Sequence, residues 1–289
     1  MKILYLQNGM HHKNHHALTQ YKNIQLYAIF KPEDLDSIDL TQFDCVYSPA
    51  TPINASKYPK TKFIFGPHFS VFPIEHQMQM VKSPNAVYIQ PSEWVSQLWK
   101  DNPLCENLRI ESLPFGVDTA RFNNEEGTIG SQNKTEIIIY YKDRHPAELE
   151  FLIGELNKLS VKFSIFSYKH RYDENTYIDY LKRAKYCIWI GRHESQGFAL
   201  EEALSCNVPI LVWDVKSMNQ EYGQSYNDIP ATVIPYWDER CGEFFYKSDE
   251  FIATFNLFLS KLETYKPREF ILESLTEEIC EKKLIEIIS

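Results

Sequence analysis

Short apolar runs alternate with helix-forming stretches along the whole chain, and this alternation leaves few folds open. A strand, a crossover helix and a second, parallel strand form the unit that such a pattern builds. An α/β protein with parallel sheets is therefore expected. In the first half, strands are predicted at residues 3–6, 24–30, 45–47, 62–65, 86–89 and 109–113. The helices between them are short, and Glu93–Lys100 has the clearest start, with Ser92 as the expected N-cap. The second half is more regular. Strands are predicted at 136–142, 161–168, 187–190, 208–213 and 231–235, and helices at 146–159, 176–186, 196–206, 248–262 and 268–288.

Residues 123–134, NNEEGTIGSQNK, are polar and glycine-containing, with Ile129 as their one large apolar residue. They are the expected linker between a trimmed first domain, 1–122, and a second domain, 135–265. A chain of 289 residues, 44% hydrophobic, has enough apolar surface for two such cores. Its net charge of −9 argues against a general nucleic-acid binder, which needs excess Lys and Arg to neutralise phosphates. The six cysteines show no CxxC spacing, so buried thiols in a reducing compartment are expected. The opening MKILYLQNG reads as a strand rather than a signal peptide. No apolar run approaches the roughly 18 residues of a membrane span. A soluble, cytoplasmic protein is the expectation.

One stretch carries chemistry. Residues 191–214 read GRHESQGFALEEALSCNVPILVWD, with Glu194 and Glu202 eight positions apart. The strand at 187–190 is apolar, so Arg192 to Gln196 emerge at its carboxyl end, the edge where open α/β sheets bind ligands. Gly197 allows close backbone approach at the start of a helix whose free N–H groups and dipole suit a phosphate. Glu194 precedes that anion site and can accept hydrogen bonds from sugar hydroxyls. Glu202 lies more than a turn further on, at a height suited to a ribose. Glu201, beside it, reads as a solvated residue.

This spacing resembles the donor-site signature of retaining GT-B glycosyltransferases of the family 4, or group 1, type. ESQGFALEEALSCNVPIL is similar to that motif nearly throughout, although Asn207 stands where the family usually has glycine. LPFGVDTARF, from Leu113 to Phe122, is similar to the family's interdomain segment, and AVYIQPSEW to its last first-domain strand. The resemblance implies two Rossmann-like domains with parallel sheets facing a cleft. It also implies a last segment, 266–289, that packs back across the domains.

The resemblance assigns roles to further residues. The family supplies an Arg and a Lys after the first strand of its second domain to stabilise the departing diphosphate. Lys142 and Arg144 of YYKDRHP stand there, in a departing order and spacing. Apart from the resemblance, Lys169, His170 and Arg171 follow the next strand as a second, weaker candidate set of cations, the alternative being a loop that meets the nucleotide base through backbone atoms. Ser195, Gln196, Gly197 and Phe198 are expected to bind the donor. His68 follows a strand and is placed near the reacting sugar. His11, His12, His15 and His16 follow the first strand, where the family has a glycine-rich loop, and are expected to line the cleft or touch the acceptor. Asp34-Leu35-Asp36 reads as a solvated turn rather than a metal-binding pair.

The expected function is transfer of a hexose-type sugar from a UDP- or GDP-sugar to a glycan or other hydroxyl acceptor, retaining and without metal or other cofactor. The alternatives are a noncatalytic nucleotide-sugar binding subunit and a GT-B-shaped sugar-nucleotide epimerase.

Overall fold

A computed structural model describes residues 1–123, 134–169 and 173–289. All but the two end residues of the expected linker therefore lie outside the described residues, as do His170 and Arg171. The chain forms two compact units, Met1–Gly116 with Leu275–Ser289, and Val117–Ser274.

In the first unit, β1 (Lys2–Leu6), β2 (Gln25–Ile29), β3 (Cys45–Ser48), β4 (Phe63–Phe65), β5 (Ala86–Gln90) and β6 (Arg109–Ser112) form one parallel sheet in the order β2-β1-β3-β4-β5-β6. The inner strands β1, β3, β4 and β5 are short, mostly apolar and buried, as sheets covered on both faces require, whereas the edge strands β2 and β6 are partly exposed. Trp99 of α3 (Glu93–Lys100) is fully buried and stacks on Tyr88 of β5 with ring centroids 4.5 Å apart. Ser92 occupies the N-cap position of α3 without making a side-chain cap bond.

The histidine-rich stretch, expected as a loop, is helical. It opens α1 (His12–Gln20), and the His11 ring accepts from Lys13 N at 3.4 Å. Only Asn14, Ala17 and Leu18 of this helix are buried, so its apolar periodicity is too sparse to read. The Asp34-Leu35-Asp36 stretch forms a short 3-10 turn: Asp34 accepts from Lys31 N at 3.2 Å and Asp36 from the Tyr58 hydroxyl at 2.6 Å.

The C-terminal segment is two helices rather than one. The first, Pro267–Ser274, is in the second unit; the last, Glu277–Ile288, is in the first. Thr276 makes the break by accepting from Ile279 N at 3.2 Å, an N-cap that starts a new helix. The last helix is fastened by Glu281, which accepts from Asn23 Nδ2 at 3.1 Å, and by Lys62, which donates to the Ile288 carbonyl. A β-carbon on Gly116 would run into the Glu277 backbone, which explains the glycine of LPFGVD.

In the second unit, β7 (Glu136–Lys142), β8 (Ser164–Ser167), β9 (Ala184–Gly191), β10 (Ile210–Trp213) and β11 (Gly242–Phe245) run parallel in the order β11-β10-β9-β7-β8. The strand expected at 231–235 is absent, and β11 takes the edge position. Asp214 holds Thr232 and Val233 in a loop instead, accepting from Val233 N at 2.7 Å and from the Thr232 hydroxyl at 3.0 Å. Gly242 opens β11 at φ 141, where a β-carbon would enter the Ile210 carbonyl. Tyr140 and Trp189 stack across β7 and β9 with centroids 3.8 Å apart, in the middle of the sheet. The connecting helices are α4 (Pro146–Lys158), α5 (Glu174–Arg183), α6 (Phe198–Ser205) and α7 (Phe251–Ser260). All six cysteines are buried, and none is in a disulfide among the described residues. No helix among the described residues is long and apolar enough to cross a membrane.

Candidate functional site

Strand order places the site before any side chain is considered. From β7 the chain goes to β8 on one side, then returns to β9 on the other. Such a reversal opens a crevice at the carboxyl ends of the two diverging strands. Lys142 pairs with Gly191 in the β7–β9 register, so the residues that leave both strands emerge side by side.

Lys142 points its ammonium at Glu194, with Nζ 2.7 Å from Oε1. The two side chains are 10% and 13% exposed, which makes this ion pair more protected than a surface one. The same ammonium lies 4.5 Å from the centroid of the Tyr168 ring, whose face attracts a cation. Tyr168 itself is largely exposed.

Arg144 has a different place from the one its charge suggests. It is fully buried. Nε and Nη2 fork onto Glu148 at 2.9 and 2.6 Å, and Nη1 donates to the carbonyls of Gly191 and Trp213 at 3.1 and 3.0 Å. A guanidinium so occupied braces the carboxyl ends of β9 and β10 rather than facing a ligand. Asp143, between the two cations, adopts φ 47, and its carbonyl accepts from Tyr222 N at 2.8 Å.

The loop after β9 supplies more than the sequence signalled. Arg192 N donates to the Lys142 carbonyl at 2.9 Å, which continues the sheet by one step. Its Nη1 donates to the His193 carbonyl at 2.8 Å, while Asp143 and Glu221 stand 3.8 and 3.7 Å from Nε. His193 is buried, and burial together with Arg192 pushes its imidazole down to about 4. Its Nδ1, 3.4 Å from Glu221, therefore meets that carboxyl as a neutral ring near neutral pH. Burial raises the Glu221 carboxyl. Glu194 is positioned from behind, its N–H donating to the Thr232 carbonyl at 2.9 Å.

Ser195 is exposed. Gly197 takes φ 98 and ψ 40 and caps α6, a left-handed turn that suits glycine. The Tyr177 hydroxyl of α5 supports the first turn of α6 through the Ala199 carbonyl at 2.6 Å. Phe198 is half-buried. Glu201, expected in solvent, is 1% exposed and accepts from Gln196 Nε2 at 3.0 Å, which ties the turn to the helix. Glu202 is 3% exposed. Lys169 has its ammonium 5.9 Å from the Tyr222 ring, beside the same strand edge.

Lys142, Glu194, Ser195, Gln196, Gly197, Phe198 and Glu202 thus all belong to one edge or to the helix that starts there. His68 belongs to the first unit. It follows β4, its N–H donates to the Pro49 carbonyl at 2.8 Å, and its Nε2 is buried without a hydrogen-bond partner among the described residues. Burial pushes its imidazole down to about 4. Among the described residues no group of three or more His, Cys, Asp or Glu is arranged to hold a metal ion.

No protein-family model and no curated protein matches the chain. Solved structures do. The apo form of the lipopolysaccharide outer core galactosyltransferase WaaB is 12% identical, with a TM-score of 0.57 over 100% of this chain and 99% of the other. The N-terminal domain of Candida albicans trehalose-6-phosphate phosphatase is 11% identical, with a TM-score of 0.58 over 99% and 96%. The pneumococcal O-GlcNAc transferase GtfA, in complex with UDP and GlcNAc, is 14% identical, with a TM-score of 0.51 over 89% and 58%. At such identities the likeness concerns the fold: two parallel-sheet α/β domains of the GT-B type.

Proposed function

We propose that the chain transfers a hexose-type sugar from a UDP- or GDP-sugar to a hydroxyl of a glycan or other acceptor, with retention at the anomeric carbon and without a metal. The observation that carries this is the 2.7 Å pair of Lys142 and Glu194 at the strand-order reversal, directly before the left-handed Gly197 turn. A cation, a carboxylate and a helix start set together match the three parts of such a donor, its phosphates, its sugar and the bridge between them. The resemblance to family 4 enzymes and the fold shared with a solved galactosyltransferase support the same assignment.

In the proposed reaction Glu194 accepts hydrogen bonds from the sugar hydroxyls and orients the ring. Lys142 turns to the diphosphate as negative charge develops on it. The residues around the turn, Ser195, Gln196, Gly197 and Phe198, border the phosphate and sugar oxygens, with the amides of 196–198 as donors. Glu202, whose burial makes hydroxyl donors valuable, takes the ribose. Arg144 supports this edge from below and touches no phosphate. The bond from the anomeric carbon to the phosphate oxygen breaks, and the acceptor oxygen bonds to the same face. The acceptor proton passes to the departing phosphate oxygen, so no protein nucleophile takes part, and catalysis rests on positioning.

A panel of UDP- and GDP-sugars, followed for binding and for slow donor hydrolysis, tests this. Turnover of one donor, accelerated by an acceptor, is the expected result. Binding without turnover would make the chain a noncatalytic nucleotide-sugar binding subunit, and an isomerised donor would make it an epimerase. Absence of binding to every donor would overturn the proposal.

A further inference from the structure

We infer that Arg192 is the second cation of the diphosphate site and meets the phosphate that carries the sugar; this rests on the glycosyl-transfer proposal. A diphosphate leaving group brings more negative charge than one ammonium balances, and Lys142 is shared with Glu194. Arg144 cannot help, because Glu148 and two carbonyls occupy its donors and the side chain has no exposed surface.

Arg192 has what Arg144 lacks. It stands one residue beyond the Gly191–Lys142 register pair and two before Glu194, so its backbone lies between the proposed phosphate cation and the proposed sugar ligand. Its side chain is 28% exposed. Two carboxylates flank it, yet at 3.8 and 3.7 Å neither hydrogen-bonds the guanidinium. Nη1 is anchored on the His193 carbonyl, and Glu221 and Asp143 hold the Nε side of the guanidinium by charge alone, so the fork offered at the strand edge is that of Nε and Nη2. A phosphate can offer that fork a short, bidentate contact, the geometry in which arginine surpasses lysine.

Calorimetric titration of wild type, Arg192→Gln and Arg192→Lys with UDP, GDP, UMP and GMP tests the assignment. The expected wild-type protein prefers one nucleoside diphosphate over its monophosphate. Arg192→Gln is expected to lose about tenfold or more of that preference while keeping its monophosphate affinity, and Arg192→Lys to recover part of it. An unchanged preference in Arg192→Gln would overturn the inference. So would an equal loss for mono- and diphosphate, which would make Arg192 a structural residue. A wild type that binds none of the four would overturn the glycosyl-transfer proposal itself, and this inference with it.

Discussion

Lys142 and Glu194, 52 residues apart in sequence, meet at 2.7 Å because β7 and β9 are neighbours in register at the carboxyl edge of their sheet. The pair neutralises two charges that the proposed reaction uses separately. Removing the carboxylate therefore has effects of opposite sign. Glu194→Gln is expected to bind UDP or GDP at least as tightly as wild type, because Lys142 is released. Transfer is expected to fall by about a hundredfold, the scale of a lost positioning contact. Calorimetry and initial rates on the same preparation check both. Weaker nucleotide binding with an unchanged rate would refute the assignment.

Arg144 gives a stability prediction instead. Arg144→Met leaves Glu148 without its fork and the Gly191 and Trp213 carbonyls without their donor. Breaking a buried pair from one side costs roughly 3–5 kcal/mol, and the lower end applies because Glu148 is 24% exposed. Urea unfolding should show the loss. Arg192→Gln, on a part-exposed side chain, should unfold close to wild type.

The difference between these two arginines marks what the sequence could and could not say. YYKDRHP places two cations after a strand but does not say which way each side chain turns; that depends on Glu148 in the first turn of α4 and on carbonyls from β9 and β10. The strands themselves were legible wherever an apolar run was fully buried, as in IIIYY of β7 or CIWI of β9. The run ATVIP reads as a strand, but Asp214, 18 and 19 residues earlier in the chain, takes the Thr232 hydroxyl and the Val233 amide that a strand would leave to a neighbour. GEFF does not read as a strand because an opening glycine lowers strand propensity, although the close approach to Ile210 demands it. Glu201 reads as a surface residue, but Gln196, within the same motif, is a partner that holds it in the interior.

Gly197→Ala tests the turn that opens α6. A β-carbon there would stay at 3.6 Å or more from its neighbours, so the cost is the left-handed backbone alone, about 1–2 kcal/mol. Gly242→Ala adds a collision with the Ile210 carbonyl and should cost more by displacing β11 from the sheet edge. Denaturation midpoints of the two variants order the costs. On the proposed function, Gly197→Ala should also weaken donor binding, and Gly242→Ala should spare it in the fraction that folds.

Glu202→Gln separates the two glutamates of the motif. Its carboxylate sits inside α6 with 3% exposure. A ribose hydroxyl bonded to a charged acceptor contributes enough that its loss should weaken UDP or GDP binding by about tenfold or more. Any rate loss should vanish at saturating donor, unlike that of Glu194→Gln. Equal kcat deficits in both variants would contradict the division of roles.

His68 predicts a pH dependence of stability. Its imidazole titrates near 4 when folded, lowered by burial from 6.5. Between those values the unfolded chain binds the extra proton, so stability rises with pH across this window and is lost as pH falls from 6.5 towards 4. One pKa unit corresponds to about 1.4 kcal/mol, which sets a loss of roughly 2–3 kcal/mol for this residue. The His11 ring, 6.4 Å away, is the aromatic neighbour that would feel the new charge. His68→Gln removes the titrating group, while carboxylates elsewhere protonate alike in both proteins and cancel in the difference. Unfolding free energies at about pH 7 and about pH 4.5 should therefore converge in the variant relative to wild type. Parallel curves for the two proteins would mean that His68 takes up its proton in the folded state as readily as in the unfolded chain.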